Sequence, residues 1–137
     1  MSKIVYTLPV ASTALVKEPK FGVLLGRFCS LTYSNEADNN PELVIVEKLL
    51  FEGVEAFQCT YYRAVWIDMI DTYDRLTDMG KSKWLDAIIR NLNESGGTPP
   101  GLKHLRLYFD SGPCYEFVCR NFTIEKYQES VLSNPTD

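Results

Sequence analysis

Apolar and polar positions alternate along much of the chain, and the period of that alternation divides it into strands, a helical middle and strands again. From Phe21 to Tyr33, the residues Phe21, Val23, Leu25, Cys29, Leu31 and Tyr33 fall on every second position. That spacing is one buried face of a β-strand, interrupted at Arg27. From Leu43 to Phe51 the run is almost wholly apolar. Glu52-Gly53 then offers a turn, and Glu55, Phe57, Cys59 and Tyr61 begin a new alternation, which predicts a hairpin. Lys103 to Phe109 and Tyr115 to Ile124 predict the clearest strand pair, joined across Asp110-Ser111-Gly112-Pro113.

The middle has helical spacing. At about 100° per residue, Val65, Trp66, Met69, Ile70, Tyr73 and Leu76 fall within roughly 140° of arc. Asp68, Asp71, Asp74 and Asp78 fall on the opposite side, with Arg75 among them, and Gly80 is placed as a stop. A second helix is predicted from Ser82, a good N-cap, with Trp84, Leu85, Ile88, Ile89 and Leu92 on one face and Gly96-Gly97 at its end. Polar, turn-rich stretches at residues 34–41 and 94–101 read as loops. Residues 128–137 are polar enough to form a flexible tail. The expected fold is α+β, one domain over residues 1–137. It would be an antiparallel β-sheet of roughly five or six strands with two helices packed on one face.

Register decides what His104 touches in the last hairpin, because a one-residue slip moves every side chain to the other face. A two-residue loop would set His104 opposite Cys119 but place Glu116 opposite Leu107 and Arg106 opposite Phe117. A three- or five-residue loop pairs Leu105 with Cys119, Leu107 with Phe117 and Phe109 with Tyr115. One face is then wholly apolar, and on the other Arg106 reaches Glu116 diagonally. The second arrangement is favoured, since an unpaired charge on a core face costs several kcal/mol.

Charge and composition narrow the chemistry. The 137 residues carry 14 basic and 18 acidic side chains, a formal charge of −4. That balance argues against a nucleic-acid or anionic-membrane partner. Apolar stretches fall short of the roughly 18 residues a membrane span needs. The first sixteen residues do not have the pattern of a signal peptide. Cys29, Cys59, Cys114 and Cys119 have neither zinc spacing nor, with one histidine in the chain, a second ligand type in number, so reduced thiols in a cytoplasm and no metal or cofactor are expected.

The acidic set Asp68, Asp71, Asp74 and Asp78, with Tyr61 and Tyr62 just before it, is the leading candidate for function. It would be a negative, tyrosine-bearing surface that docks a protein with a basic face. His104 is expected to be solvated, Cys114 inert and Asp110 a turn cap. Three rivals remain. One is a small hydrolase-type enzyme using the His104, Cys114 and Glu116 region with Asp110. Another is a small-molecule-binding module with an apolar cavity lined by Trp66, Trp84 and Phe57. The third is a homo-oligomer joined through a sheet edge.

The stretch from Leu105 to Phe117, LRLYFDSGPCYEF, together with Phe51-Glu52-Gly53-Val54, resembles small uncharacterised bacterial α+β proteins. Some of these are similar to immunity proteins of contact-dependent or polymorphic toxin systems. The resemblance implies a cytoplasmic binder that neutralises a toxin domain, and it implies no particular site residue.

Overall fold

The computed structural model describes residues 2–15, 19–37, 40–110 and 113–130. Along them run β1 (Lys3–Thr7), β2 (Lys20–Leu24), β3 (Phe28–Ala37), β4 (Asn40–Glu52), β5 (Ala56–Thr60) and β6 (Arg75–Asp78), then α1 (Lys83–Glu94), β7 (Lys103–Tyr108), β8 (Cys114–Cys119) and β9 (Asn121–Ser130). Short 3-10 turns cover Ser12–Ala14, Tyr62–Ala64 and Ile67–Thr72. The strands form two antiparallel sheets, ordered β1-β6-β7-β8-β5 and β2-β3-β4-β9.

The predicted strand over Phe21–Tyr33 is a hairpin. It folds at Leu25-Gly26-Arg27, where Gly26 and Arg27 take φ of +83° and +66°. Three loop residues preserve parity, so Phe21 pairs with Leu31 and Val23 with Cys29. Phe21, Cys29, Leu31 and Tyr33 therefore share a face as expected, while Leu25 sits on the turn, fully exposed. The polar stretch at 34–41 holds the end of β3 and the start of β4, with residues 38–39 outside the described residues.

The predicted hairpin between Leu43–Phe51 and Glu55–Tyr61 does not form. β4 pairs with β3 and β9, whereas β5 pairs with β8 in the other sheet. Likewise the run Tyr115–Ile124 is two strands, β8 in one sheet and β9 in the other. Both crossings lie together. Gly53 turns with φ +62°, a Cβ there would stand 2.8 Å from Arg120 Cδ, and Arg120 N–H donates to Glu52 O at 3.0 Å. At the second crossing the core-facing positions change parity, from Tyr115, Phe117 and Cys119 to Phe122, as both sheets turn their inner faces to the same core.

That core is inter-sheet. Leu31, Leu49 and Phe51 from one sheet meet Leu76, Leu105, Leu107 and Phe117 from the other, all essentially without solvent exposure. Phe51 stacks on Phe117 with ring centroids 3.9 Å apart. Glu47 is also buried, accepting hydrogen bonds from Tyr33 Oη at 2.6 Å and from Tyr6 Oη, with Lys126 Nζ at 3.6 Å. It ties β1 of one sheet to β3, β4 and β9 of the other. Burial and the adjacent carboxylate push both phenols well above their ordinary range.

In the last hairpin the faces are as expected, and the pairing is two residues away. Leu105 faces Phe117, Leu107 faces Tyr115, and Arg106 lies directly opposite Glu116. A shift of two keeps every side chain on its face. His104 faces Val118, not Cys119.

The larger correction concerns the helical middle. α1 forms where expected, its N-cap Ser82 accepting from Leu85 N–H at 3.1 Å. The helix predicted over Val65–Leu76 does not form. Residues Ile67–Thr72 make 3-10 turns, Asp74 takes φ +56°, and Arg75–Asp78 becomes β6 between β1 and β7. Tertiary pairing overrides the local pattern: Asp74 N–H donates to Tyr108 O at 2.8 Å, and Leu76 enters the inter-sheet core. The architecture is thus two antiparallel sheets with one α-helix among the described residues, not one sheet under two helices.

Candidate interaction surface

Losing that helix rearranges its side chains. Trp66 and Ile70, expected inside, are outside. Tyr61, Tyr62, Trp66, Ile67 and Ile70 are each between 54% and 87% exposed, five large apolar side chains within ten residues. Met69 and Thr72 are buried instead, at the three-residue spacing of a 3-10 turn. Met69 packs with Tyr108 and Cys114, and Thr72 Oγ1 donates to Met69 O at 2.7 Å. Tyr73 stacks edge-on against Tyr108 and donates to Asp110 Oδ1 at 3.3 Å. The segment is pinned from below, and its apolar outer side is left uncovered.

The acidic set divides. Asp68 and Asp71 are exposed on this ledge. Asp74 is buried, its Oδ2 accepting from Ser12 N–H at 2.9 Å. Asp78 Oδ1 accepts from Gly80 N–H at 2.9 Å and closes the turn after β6. Two of the four aspartates, one just before β6 and one at its end, serve the backbone. Tyr61 and Tyr62 stand beside Trp66 and Ile67 in the chain, on the same exposed segment.

Beneath the ledge lies a buried polar layer on the outer face of β7 and β8. Glu116, with no solvent exposure, accepts from Arg106 Nε at 2.8 Å and Gln58 Nε2 at 2.7 Å, and its Oε1 lies 2.8 Å from His104 Nε2. Burial alone would raise this carboxyl. The hydrogen bonds from His104, Arg106 and Gln58 outweigh it and hold the group down at about 2. Ser82 Oγ stands 2.9 Å from His104 Nδ1, and Trp84 meets the imidazole edge-on. Arg106 Nη1 reaches toward Asp68 of the ledge at 4.0 Å. His104 is therefore buried, not solvated, since β7 is covered there by the start of α1.

Ser82, His104 and Glu116 form a chain of the residue types used in acyl transfer. Every polar atom in it has an internal partner: the serine caps α1, and the imidazole bridges it to a carboxylate bound by three donors. Cys114 lies on the same face, fully buried, and burial with Glu116 nearby pushes its thiol up to about 12, the wrong direction for a thiolate nucleophile. Asp110 is exposed at the turn, with its N–H donating to Ser12 Oγ at 2.7 Å. No group of three or more metal-ligating side chains occurs among the described residues.

The expected cavity between Trp66, Trp84 and Phe57 is not how these residues meet. Trp66 is on the ledge and Trp84 is against His104. Phe57 instead lines a cavity of about 330 Å³ with Val23, Arg27, Phe28, Val54 and Glu55. Arg27 Nη1 donates to Glu55 Oε2 at 2.8 Å across it.

Trp66 and Ile70 are the residues the sequence pattern misplaced. Their spacing fits a period of 3.6 as well as 3.0, so no local signal separated an α-helix from 3-10 turns. No family model, curated protein or solved structure matches this chain. Among the described residues, no helix is long and apolar enough to cross a membrane.

Proposed function

We propose that the chain is a non-enzymatic, cytoplasmic protein-binding domain whose partner sits on the Tyr61–Ile70 ledge. The observation that carries this reading is the exposure of Tyr61, Tyr62, Trp66, Ile67 and Ile70 over an anchored base. Together they leave on the order of 600–700 Å² of apolar side chain in water, given the roughly 150–250 Å² of a large side chain, above the largest patch of a typical monomer. Tyrosine and tryptophan are the side chains that most often carry interface energy. Asp68 and Asp71 on the same segment, in a chain of formal charge −4, favour a partner with lysines or arginines around an apolar recess. An immunity-like inhibitor of a basic toxin or enzyme domain is the most concrete form of this proposal, and it agrees with the resemblance of the β7–β8 hairpin.

The test is affinity capture from the cells that make the protein, at low and high salt, using wild type, Ile67→Glu, and Asp68→Asn combined with Asp71→Lys. The expected result is one stoichiometric partner with wild type, its loss with Ile67→Glu, and faster loss with rising salt for the wild type than for the charge variant. A partner held equally by all three proteins would overturn the proposal.

A further inference from the structure

The cavity of about 330 Å³ lies where two sheet edges meet. β5 ends one sheet and β2 ends the other, and Phe21 of β2 meets Phe57 of β5 with ring centroids 5.1 Å apart. Among the described residues, β5 pairs on one side only, with β8. Alternate backbone N–H and C=O groups of Ala56–Thr60 therefore face outward without a strand partner. Val23 and Phe57, which line the cavity, are exposed, as are Leu24 and Leu25 between Val23 and Arg27 in the chain. Natural edges are ordinarily blunted by a lysine, a proline or a covering element. β5, with the sequence Ala-Phe-Gln-Cys-Thr, has no lysine or proline.

We propose that β5 accepts an added strand from an extended peptide, which places one large apolar side chain in this cavity. Strand addition takes affinity from main-chain hydrogen bonds and selectivity from a pocket for an alternate side chain, and both parts are present here. The volume sits at the lower end for small-molecule sites and exceeds the roughly 150 Å³ that holds a benzene ring, so even a phenylalanine side chain enters with room to spare. A small apolar molecule would fill the cavity but leave the β5 backbone and Leu24–Leu25 uncovered. A globular partner or a second copy is disfavoured by area. The four exposed side chains amount to roughly 400 Å², about half of the ~800 Å² per partner in a stable interface. The charges at the mouth, Arg27 and Glu55, neutralise each other. The site itself thus offers no net charge to a peptide, unlike the ledge, and binding here does not depend on the ledge being a partner site.

The probes are blocked heptapeptides, acetyl-Lys-Thr-Ser-X-Thr-Ser-Lys-amide with X as Gly, Ala, Leu or Phe, titrated into the full chain by NMR. Amide shifts in Ala56–Thr60 are expected, with the Leu or Phe peptide roughly 10- to 100-fold tighter than Gly, the worth of one buried side chain. N-methylation of the peptide backbone at alternate residues abolishes binding, and Val23→Trp, a change at an exposed position that covers the mouth, weakens it at least tenfold. Ile67→Glu leaves it unchanged. The proposal is overturned if millimolar peptide leaves the β5 amides unmoved. It is also overturned if the N-methylated peptide binds equally, which would make the cavity a small-molecule pocket, or if Val23→Trp has no effect.

Discussion

Replacing Glu116 by Gln tests the buried polar layer on which the ledge rests. The carboxylate has no solvent exposure and receives hydrogen bonds from Arg106 and Gln58 and the contact of His104 Nε2. An amide in its place turns an NH2 toward one of these donors and leaves the Arg106 guanidinium without its counter-charge. Arg106 Nη1 already lacks a hydrogen-bond partner, and Asp68 approaches it only to 4.0 Å. Breaking a buried pair in this way costs about 3–5 kcal/mol. Linkage gives a similar figure. A carboxyl held at about 2 against an ordinary 4.5 differs by about 2.5 units, or about 3 kcal/mol at 1.36 kcal/mol per unit. Because the folded value is the lower one, this stability is complete above pH 4.5 and is lost as pH falls from 4.5 toward 2. Urea unfolding of wild type and Glu116→Gln at pH 7 should differ by about 3 kcal/mol, a midpoint lower by roughly 2 M at a slope near 1.5 kcal/mol/M. The gap should narrow through pH 4 and 3. A cost below 1 kcal/mol at pH 7, or a gap that does not change with acid, would refute the reasoning.

Other changes probe other parts of the fold. Gly53→Ala puts a methyl group 2.8 Å from Arg120 Cδ at a φ of +62°, so thermal unfolding should show a loss of about 1–3 kcal/mol where the chain crosses sheets from β4 to β5 and from β8 to β9. Tyr33→Phe removes a hydrogen bond to the buried Glu47 carboxylate and should cost about 1.5–3 kcal/mol in urea unfolding. Ser82→Ala removes both the cap of α1 and the partner of His104 Nδ1, so a loss of about 1–2 kcal/mol is expected, with a shifted His104 proton resonance by NMR. Trp66→Ala, on an exposed residue, should leave stability within about 0.5 kcal/mol of wild type while weakening capture of the partner.

The sequence pattern was informative wherever local chemistry and tertiary role agree. α1 is legible from Ser82, from the apolar face Trp84–Leu92 and from the glycines behind it. The apolar face Leu105, Leu107, Phe109, Tyr115, Phe117 is legible because a charge on it would be unpaired. The directly opposed Arg106–Glu116 pair follows from the same parity, with the register two residues from the expected one. What sequence periodicity does not hold is membership of a sheet. Glu52-Gly53 reads as a hairpin turn, yet it is a crossing between sheets, and Arg120 marks where the core-facing positions change parity between β8 and β9. The ledge was hidden for a different reason. Trp66, Met69, Ile70 and Tyr73 satisfy helical spacing, and only the pairing of Asp74 and Leu76 with elements far along the chain turns Trp66 and Ile70 outward. Asp74 shows the cost of reading a stripe: its carboxylate is committed to Ser12 N–H, a contact 62 residues away. Gln58 and Ser82 had no signal marking them as partners of Glu116 and His104, since both bonds join elements distant in sequence.

The central claim is that a partner covers the ledge, and a photoreactive side chain placed there tests it most directly. The full chain would be made in its own cells with p-benzoylphenylalanine at position 67 or, as a control on the outer side of β9, at position 123. The account predicts a single covalent adduct from position 67, absent from position 123 and lost when Trp66→Glu is added. Adducts of equal yield from both positions, or none from position 67 under conditions in which the chain is captured with a partner, would contradict it.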